Sequence, residues 1–309
     1  MQAEILNTDG HIVQGRLGRH ETFTPRYGWL KKGYDAVIQD GNVFKASDAI
    51  ERLGVGKNMV SSIRFWCQAF KLIEPAHNGC MVPTELGRRL LDDNGWDPFL
   101  EDVASLWLLH WQLFVPRLEA VSWTLAFNKC NLWSFDIKQL TKVIFSAAQK
   151  YPSFKTISEN SFERDASCII RMYADVPLEK ESEIECPFTQ LGIIRKAEEK
   201  NSVCFDTTEK QSLPPLIFAA ACFSYIDSYV SAKQRTISLH RLTYDFNSPG
   251  VVFKVPESAV GSYLYTAARE LNGISLIETT GSLQLYFDGE PKALYWDALQ
   301  KYYDGAVRR

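Results

Sequence analysis

The stretch from Val43 to Leu91 constrains the fold more than any other, because turn signals and helical periodicity alternate there in a fixed order. Val43-Phe44-Lys45 reads as a short strand, Ser47 as the cap of the helix Asp48–Leu53, and Gly54 as its terminator. Val55-Gly56 then turns the chain into a second helix, from Lys57 to about Leu72. Met59, Ile63, Trp66 and Phe70 recur there at 4-3-4 spacing and form an inward stripe. Lys57, Ser61, Arg64, Gln68 and Lys71 recur at 4-3-4-3 on the opposite face. Asn78-Gly79, between Leu72-Ile73-Glu74 and Cys80-Met81-Val82, predicts a hairpin, and Thr84 caps a closing helix Glu85–Leu91.

Helix, Gly-containing turn, longer helix and hairpin follow one another as in a helix-turn-helix with a wing. In such a module the second helix enters the major groove of DNA and the wing lies along the phosphates. Lys57, Asn58, Ser61, Ser62, Arg64 and Gln68 supply the residue types this needs: Arg and Lys for guanine or phosphate, Asn and Gln for adenine, Ser for either. Gly10 to Leu72 holds ten Lys and Arg against five Asp and Glu, net +5, although the whole chain carries −3. A solvated helix face has the same composition, and winged helices also dock on proteins, so both readings stand at this point. The string Leu53-Gly-Val-Gly-Lys-Asn58 is not a phosphate-binding loop. That motif needs a Gly where Glu51 stands and a Ser or Thr where Asn58 stands.

The 309 residues predict three zones: a winged-helix domain over 1–94, a helical domain with an acidic loop over 95–234, and a C-terminal α/β unit over 235–309. The fold class is therefore mainly α with small β-hairpins, an α+β protein. The acidic loop lies within Tyr151–Lys210, where twelve acids face eight bases, net −4. In the third zone Val252-Phe253-Lys254 echoes Val43-Phe44-Lys45, Ser258 can cap a helix to about Leu271, and Thr280-Gly281 marks a hairpin. This reads either as a second winged helix or as a generic helix-hairpin unit.

Seven cysteines stand singly without a CxxC pair, and the first residues lack a signal-peptide pattern, which together point to a reducing cytoplasm. The most apolar run, Val103–Val115, is too short to span a membrane and contains His110 and Gln112, so it predicts a buried helix and no membrane partner. His110 itself reads as a satisfied core histidine rather than a base or ligand.

No strong catalytic signature is present, and neither catalytic nor metal-binding residues can be assigned. Phosphodiester hydrolysis calls for carboxylates around a divalent metal with a basic group near the attacking water. Asp165 or Asp175 with Glu198-x-Lys200 matches that composition only loosely, and the run around Glu198 looks like an exposed helix face.

His20–Val37 (HETFTPRYGWLKKGYDAV), the Val43–Glu74 stretch, Leu106–Phe114 (LWLLHWQLF) and Glu185–Ile194 (ECPFTQLGII) together resemble a bacterial domain-of-unknown-function family. Its members occur in sulfur-handling and phage-defence operons, as an SspB-like component of DNA phosphorothioation systems. The resemblance implies a double-stranded DNA partner and further phosphorothioation proteins: a cysteine desulfurase, a sulfurtransferase and an ATPase. It also implies nicking of one strand to admit sulfur, for which Mg²⁺ or Mn²⁺ would be the cofactor; no nucleotide or organic cofactor is expected. Arg26, Lys31, Lys32 and Lys57 fall inside the matching strings and are expected to contact phosphate, whereas Gly28, Trp29 and Gly33 can equally be structural. The alternatives are a non-catalytic DNA-binding scaffold of the modification complex and a winged-helix transcriptional regulator, the latter a homodimer on a palindrome.

Overall fold

The computed structural model describes residues 17–174, 186–231, 233–279 and 281–306. They form two compact units: residues 17–113, 117–174 and 186–205 make one, and residues 114–116 with the described part of 206–306 make the other. The class is α+β, mainly helical with small antiparallel strand pairs.

The larger unit opens with α1 (Trp29–Gln39), α2 (Ala49–Leu53), α3 (Lys57–Ala69), the hairpin β1 (Ile73–Pro75) and β2 (Met81–Pro83), and α4 (Glu85–Leu91). Several local expectations hold. Gly54 ends α2 in the left-handed conformation at φ 61°, β1 pairs with β2 through Glu74 opposite Val82, and the Thr84 side chain accepts from Gly87 N. Others need correction. Val43–Lys45 is a 3-10 turn closed by Lys45 N donating to Asn42 O at 2.8 Å, not a strand. The N-cap of α2 is Asp48 rather than Ser47. Helix α3 stops at Ala69, because Lys71 turns left-handed (φ 57°) and Leu72 N reaches back to Cys67 O at 2.9 Å. That is the bond pattern of a Schellman closure.

The rest of this unit is α5 (Val103–Gln112), α6 (Val121–Lys129), α7 (Ile137–Ala148), α8 (Glu159–Tyr173) and the hairpin β3 (Ile194–Lys196) with β4 (Val203–Phe205). Every residue of α5 after Val103 is buried, as its apolar run predicts. His110 Nδ1 lies 2.8 Å from the Tyr173 hydroxyl, so it is a partnered core histidine. Trp66 is fully buried, stacked on Phe70 and edge-on to Trp123, and its indole donates to Phe23 O at 3.0 Å. Phe70 in turn stacks on Phe188, with ring centroids 5.0 Å apart.

The second unit contains α9 (Pro215–Tyr229), β5 (Thr236–Ser238), α10 (Leu239–Tyr244), α11 (Pro249–Phe253), α12 (Glu257–Ala267), β6 (Ile274–Thr279), β7 (Ser282–Phe287) and α13 (Pro291–Ala306). Helix α9 packs on α12 and α13. The predicted hairpin is present as β6–β7, with Gly281 at φ 75°, and β5 pairs with β7 to give the sheet order β5-β7-β6. Two readings are corrected here. Val252 and Phe253 end α11, with Lys254 left-handed behind them, and α12 starts at Glu257 from Pro256, so Ser258 lies inside the helix.

Candidate nucleic-acid interface

The left-handed Gly54 and the extended Gly56 aim the chain into α3, whose first turn has no side-chain cap. Uncapped N–H groups at a helix start favour anions. Lys57, Asn58 and Ser61 stand exposed there. The polar face is narrower than its spacing predicts. Ser62 is fully buried with an unpartnered hydroxyl, and Gln68 keeps only 9 % of its surface. Arg64 is half-buried: its guanidinium lies 4.0 Å from Met81 Sδ on the hairpin, and its Nε is buried without a partner.

The three cations of the GWLKKG neighbourhood are engaged within the fold. Lys31 Nζ pairs with Asp35 at 2.7 Å and with Asp93 at 2.9 Å. Lys32 Nζ donates to Leu53 O at 3.0 Å, closing the carbonyl end of α2. Arg26 lies 5.1 Å over the Trp29 ring and 5.5 Å over Phe23. Lys32 is exposed, and Arg26 and Lys31 are half-buried. Gly33 admits α3 closely, since a Cβ there would stand 2.6 Å from Ile63 Cγ2 and 2.7 Å from Cys67 Sγ. Lys45 escapes the sequence pattern because it is distant from Lys57 along the chain. It is exposed, and its Nζ donates to Gly79 O at the hairpin tip, 2.9 Å away.

The loose catalytic set does not assemble as a reactive centre. Asp165 is buried and fully committed: Oδ1 accepts from Gly18 N at 3.1 Å and lies 2.8 Å from His20 Nε2, while Oδ2 accepts from Ser122 Oγ at 2.6 Å. Glu198 and Lys200 sit exposed on the turn between β3 and β4, not on a helix face. Asp175 lies outside the described residues. Among the described residues no group of three or more His, Cys, Asp or Glu side chains could hold a metal ion, and no helix is long and apolar enough to cross a membrane. All seven cysteines are free thiols.

The family model of the protein of unknown function DUF4007 matches residues 17–303. The chain belongs to that family. Two solved structures are similar to this DUF4007 protein, an SspB crystal structure and a magnesium ion-bound SspB crystal structure. Each is 34 % identical with a TM-score of 0.88; 96 % of this chain is covered, with 92 % of the first and 91 % of the second. No curated protein matches. Within this DUF4007 chain the resembling strings meet in one core. His20 neighbours Trp66, Phe70 from the second string stacks on Phe188 from the fourth, and His110 from the third contacts Tyr173, whose ring also meets Phe188.

Proposed function

We propose that this chain is the DNA-binding component of a bacterial DNA phosphorothioation system. Residues 29–91 would form a winged helix that places α3 in the major groove. The observation that carries the reading is the exposed cluster Lys57, Asn58 and Ser61 at the uncapped start of α3, beside Lys45 at the hairpin tip. The similarity to SspB supports the assignment to phosphorothioation. The order strand, helices, hairpin recurs in β5 to β7, which supports a second winged helix over residues 236–287. Duplex DNA, the desulfurase, the sulfurtransferase and the ATPase are the partners, in the cytoplasm.

The finer reading adds strand nicking to admit sulfur, with Mg²⁺ or Mn²⁺ as cofactor; one similar structure is described as magnesium ion-bound. The dispersed carboxylates among the described residues favour the rival reading, a non-catalytic scaffold. Supercoiled plasmid incubated with purified chain and Mg²⁺ or Mn²⁺ separates the two. Open circles that vanish with chelator support the nickase. Tight plasmid binding without open circles, even when the partner proteins are added, leaves the scaffold. A stable two-fold dimer bound to one palindrome would instead identify a regulator.

A further inference from the structure

The loop of residues 92–102, between α4 and α5, is irregular yet tightly held. The Asp97 carboxylate accepts from Glu101 N at 2.9 Å, Asp102 N at 3.0 Å and Ser105 Oγ at 2.6 Å, and Trp96 N donates to Arg89 O at 2.7 Å. Leu100 is left-handed at φ 56°, and Phe99 beside it keeps 67 % of its surface in solvent. Such a ring costs burial energy unless something covers it.

The end of α4 and this loop enclose an open pocket of about 490 Å³, lined by Arg88, Arg89, Asp92, Asp93, Asn94 and Trp96 together with Gly95. That volume lies within the roughly 300–1,000 Å³ of small-ligand sites. Its charges cancel. Asp92 accepts from Tyr34 Oη at 2.5 Å, Asp93 pairs with Lys31, and Arg89 pairs with Glu85 at 2.9 Å while lying 5.8 Å over the Trp96 ring. Arg88 is exposed at the rim. An indole wall with guanidinium donors, carboxylate acceptors and the Asn94 amide offers a stacking face and both halves of a base's hydrogen-bonding edge. The two carboxylates disfavour a free phosphate.

We propose that this pocket takes one unpaired nucleobase of DNA, stacked on Trp96, with Phe99 as the platform for its neighbour. The inference rests on the DNA-binding reading and adds a single-strand subsite to it. Both surfaces are joined to α1, through Lys31 to Asp93 and through Lys32 to the end of α2.

The test measures binding of the full chain to a fluorescent duplex with a short single-stranded gap and to the same duplex intact. Wild type should prefer the gapped DNA. The double variant Trp96→Ala, Phe99→Ala should bind the gapped DNA about 5- to 150-fold more weakly for each base unstacked, with intact-duplex affinity unchanged. Trp96→Phe should retain most of the affinity, and Lys57→Ala should weaken both DNAs. Should the double variant fail to fold by circular dichroism, Phe99→Ala with Arg88→Ala, both at exposed positions, carries the same expectation. Equal wild-type affinity for the two DNAs, or gapped-DNA binding indifferent to these changes, overturns the pocket and leaves duplex binding standing. Absence of binding to either DNA overturns both readings.

Discussion

Burial alone would hold His20 as a neutral imidazole. Burial does oppose its protonation, but the Cys168 sulfur and the Asp165 carboxylate beside the ring outweigh it and push the pKa up to about 10. The folded value lies above the ordinary 6.5, so the proton stabilises the folded state. That contribution is complete below about pH 6.5 and is lost as pH rises towards 10. Urea unfolding of wild type should therefore show stability falling across this window, and His20→Gln should flatten the slope. A slope equal in both proteins would remove the ion pair as its source. Trp66 belongs to the same cluster, its ring 6.2 Å from that of His20. Fully buried and hydrogen-bonded, it should cost about 3–5 kcal/mol when replaced by Ala, read as a lower urea midpoint. Ile63, Trp66 and Phe70 are legible as core from spacing alone, and all three are buried. The role of Asp165 is not legible, because its partners Gly18, His20 and Ser122 converge on it from distant parts of the chain.

Helix α3 is where periodicity informs and also misleads. A 3.6-residue repeat separates an inner from an outer face, but it does not say how wide the inner face is. Eight of the thirteen α3 residues are buried, so the arc that reads as polar is closed over at Ser62 and Gln68 and open only near Lys57 to Ser61. Val43-Phe44-Lys45 fails for another reason. Strand propensity reflects packing beside a partner strand, and this triplet turns on itself through i to i+3 bonds instead. The local caps were legible because their chemistry is local: Gly54 needs only its own backbone, and Thr84 only Gly87 N. Gly87 also shows how closely these elements approach. A Cβ there would stand 2.2 Å from Leu72 O, a backbone atom, whereas the obstacles at Gly33 are the side chains of Ile63 and Cys67. Gly87→Ala should therefore destabilise more than Gly33→Ala, with overpacking costs of about 1–3 kcal/mol or above. Urea midpoints of the two variants decide it, and the reverse order would mean that α4 can shift away from Leu72.

Over the whole molecule, a net charge of −3 conceals an uneven distribution, since residues 10–72 carry +5. A chain of that overall sign binds duplex DNA only if a few cations meet phosphates locally, and each such contact releases counterions. The structure limits which cations can do this. Lys31 is held by two carboxylates and Arg52 by Asp40, whereas Lys57 and Lys45 are exposed beside the uncapped start of α3 and the hairpin tip. Binding measured from low to moderate salt should give a log-log slope of about −0.9 for every phosphate neutralised. Lys57→Ala and Lys45→Ala should each flatten that slope by about 1, and the double variant by about 2, because the sites are separate. Neither change should move the urea midpoint, since neither side chain is part of the core. Lys31→Ala should behave in the opposite way, lowering stability through its lost partners while leaving the salt slope nearly intact. A slope that ignores Lys57 and Lys45 but follows Lys31 would place the phosphate track on the face of α1 and remove α3 as the element that meets DNA.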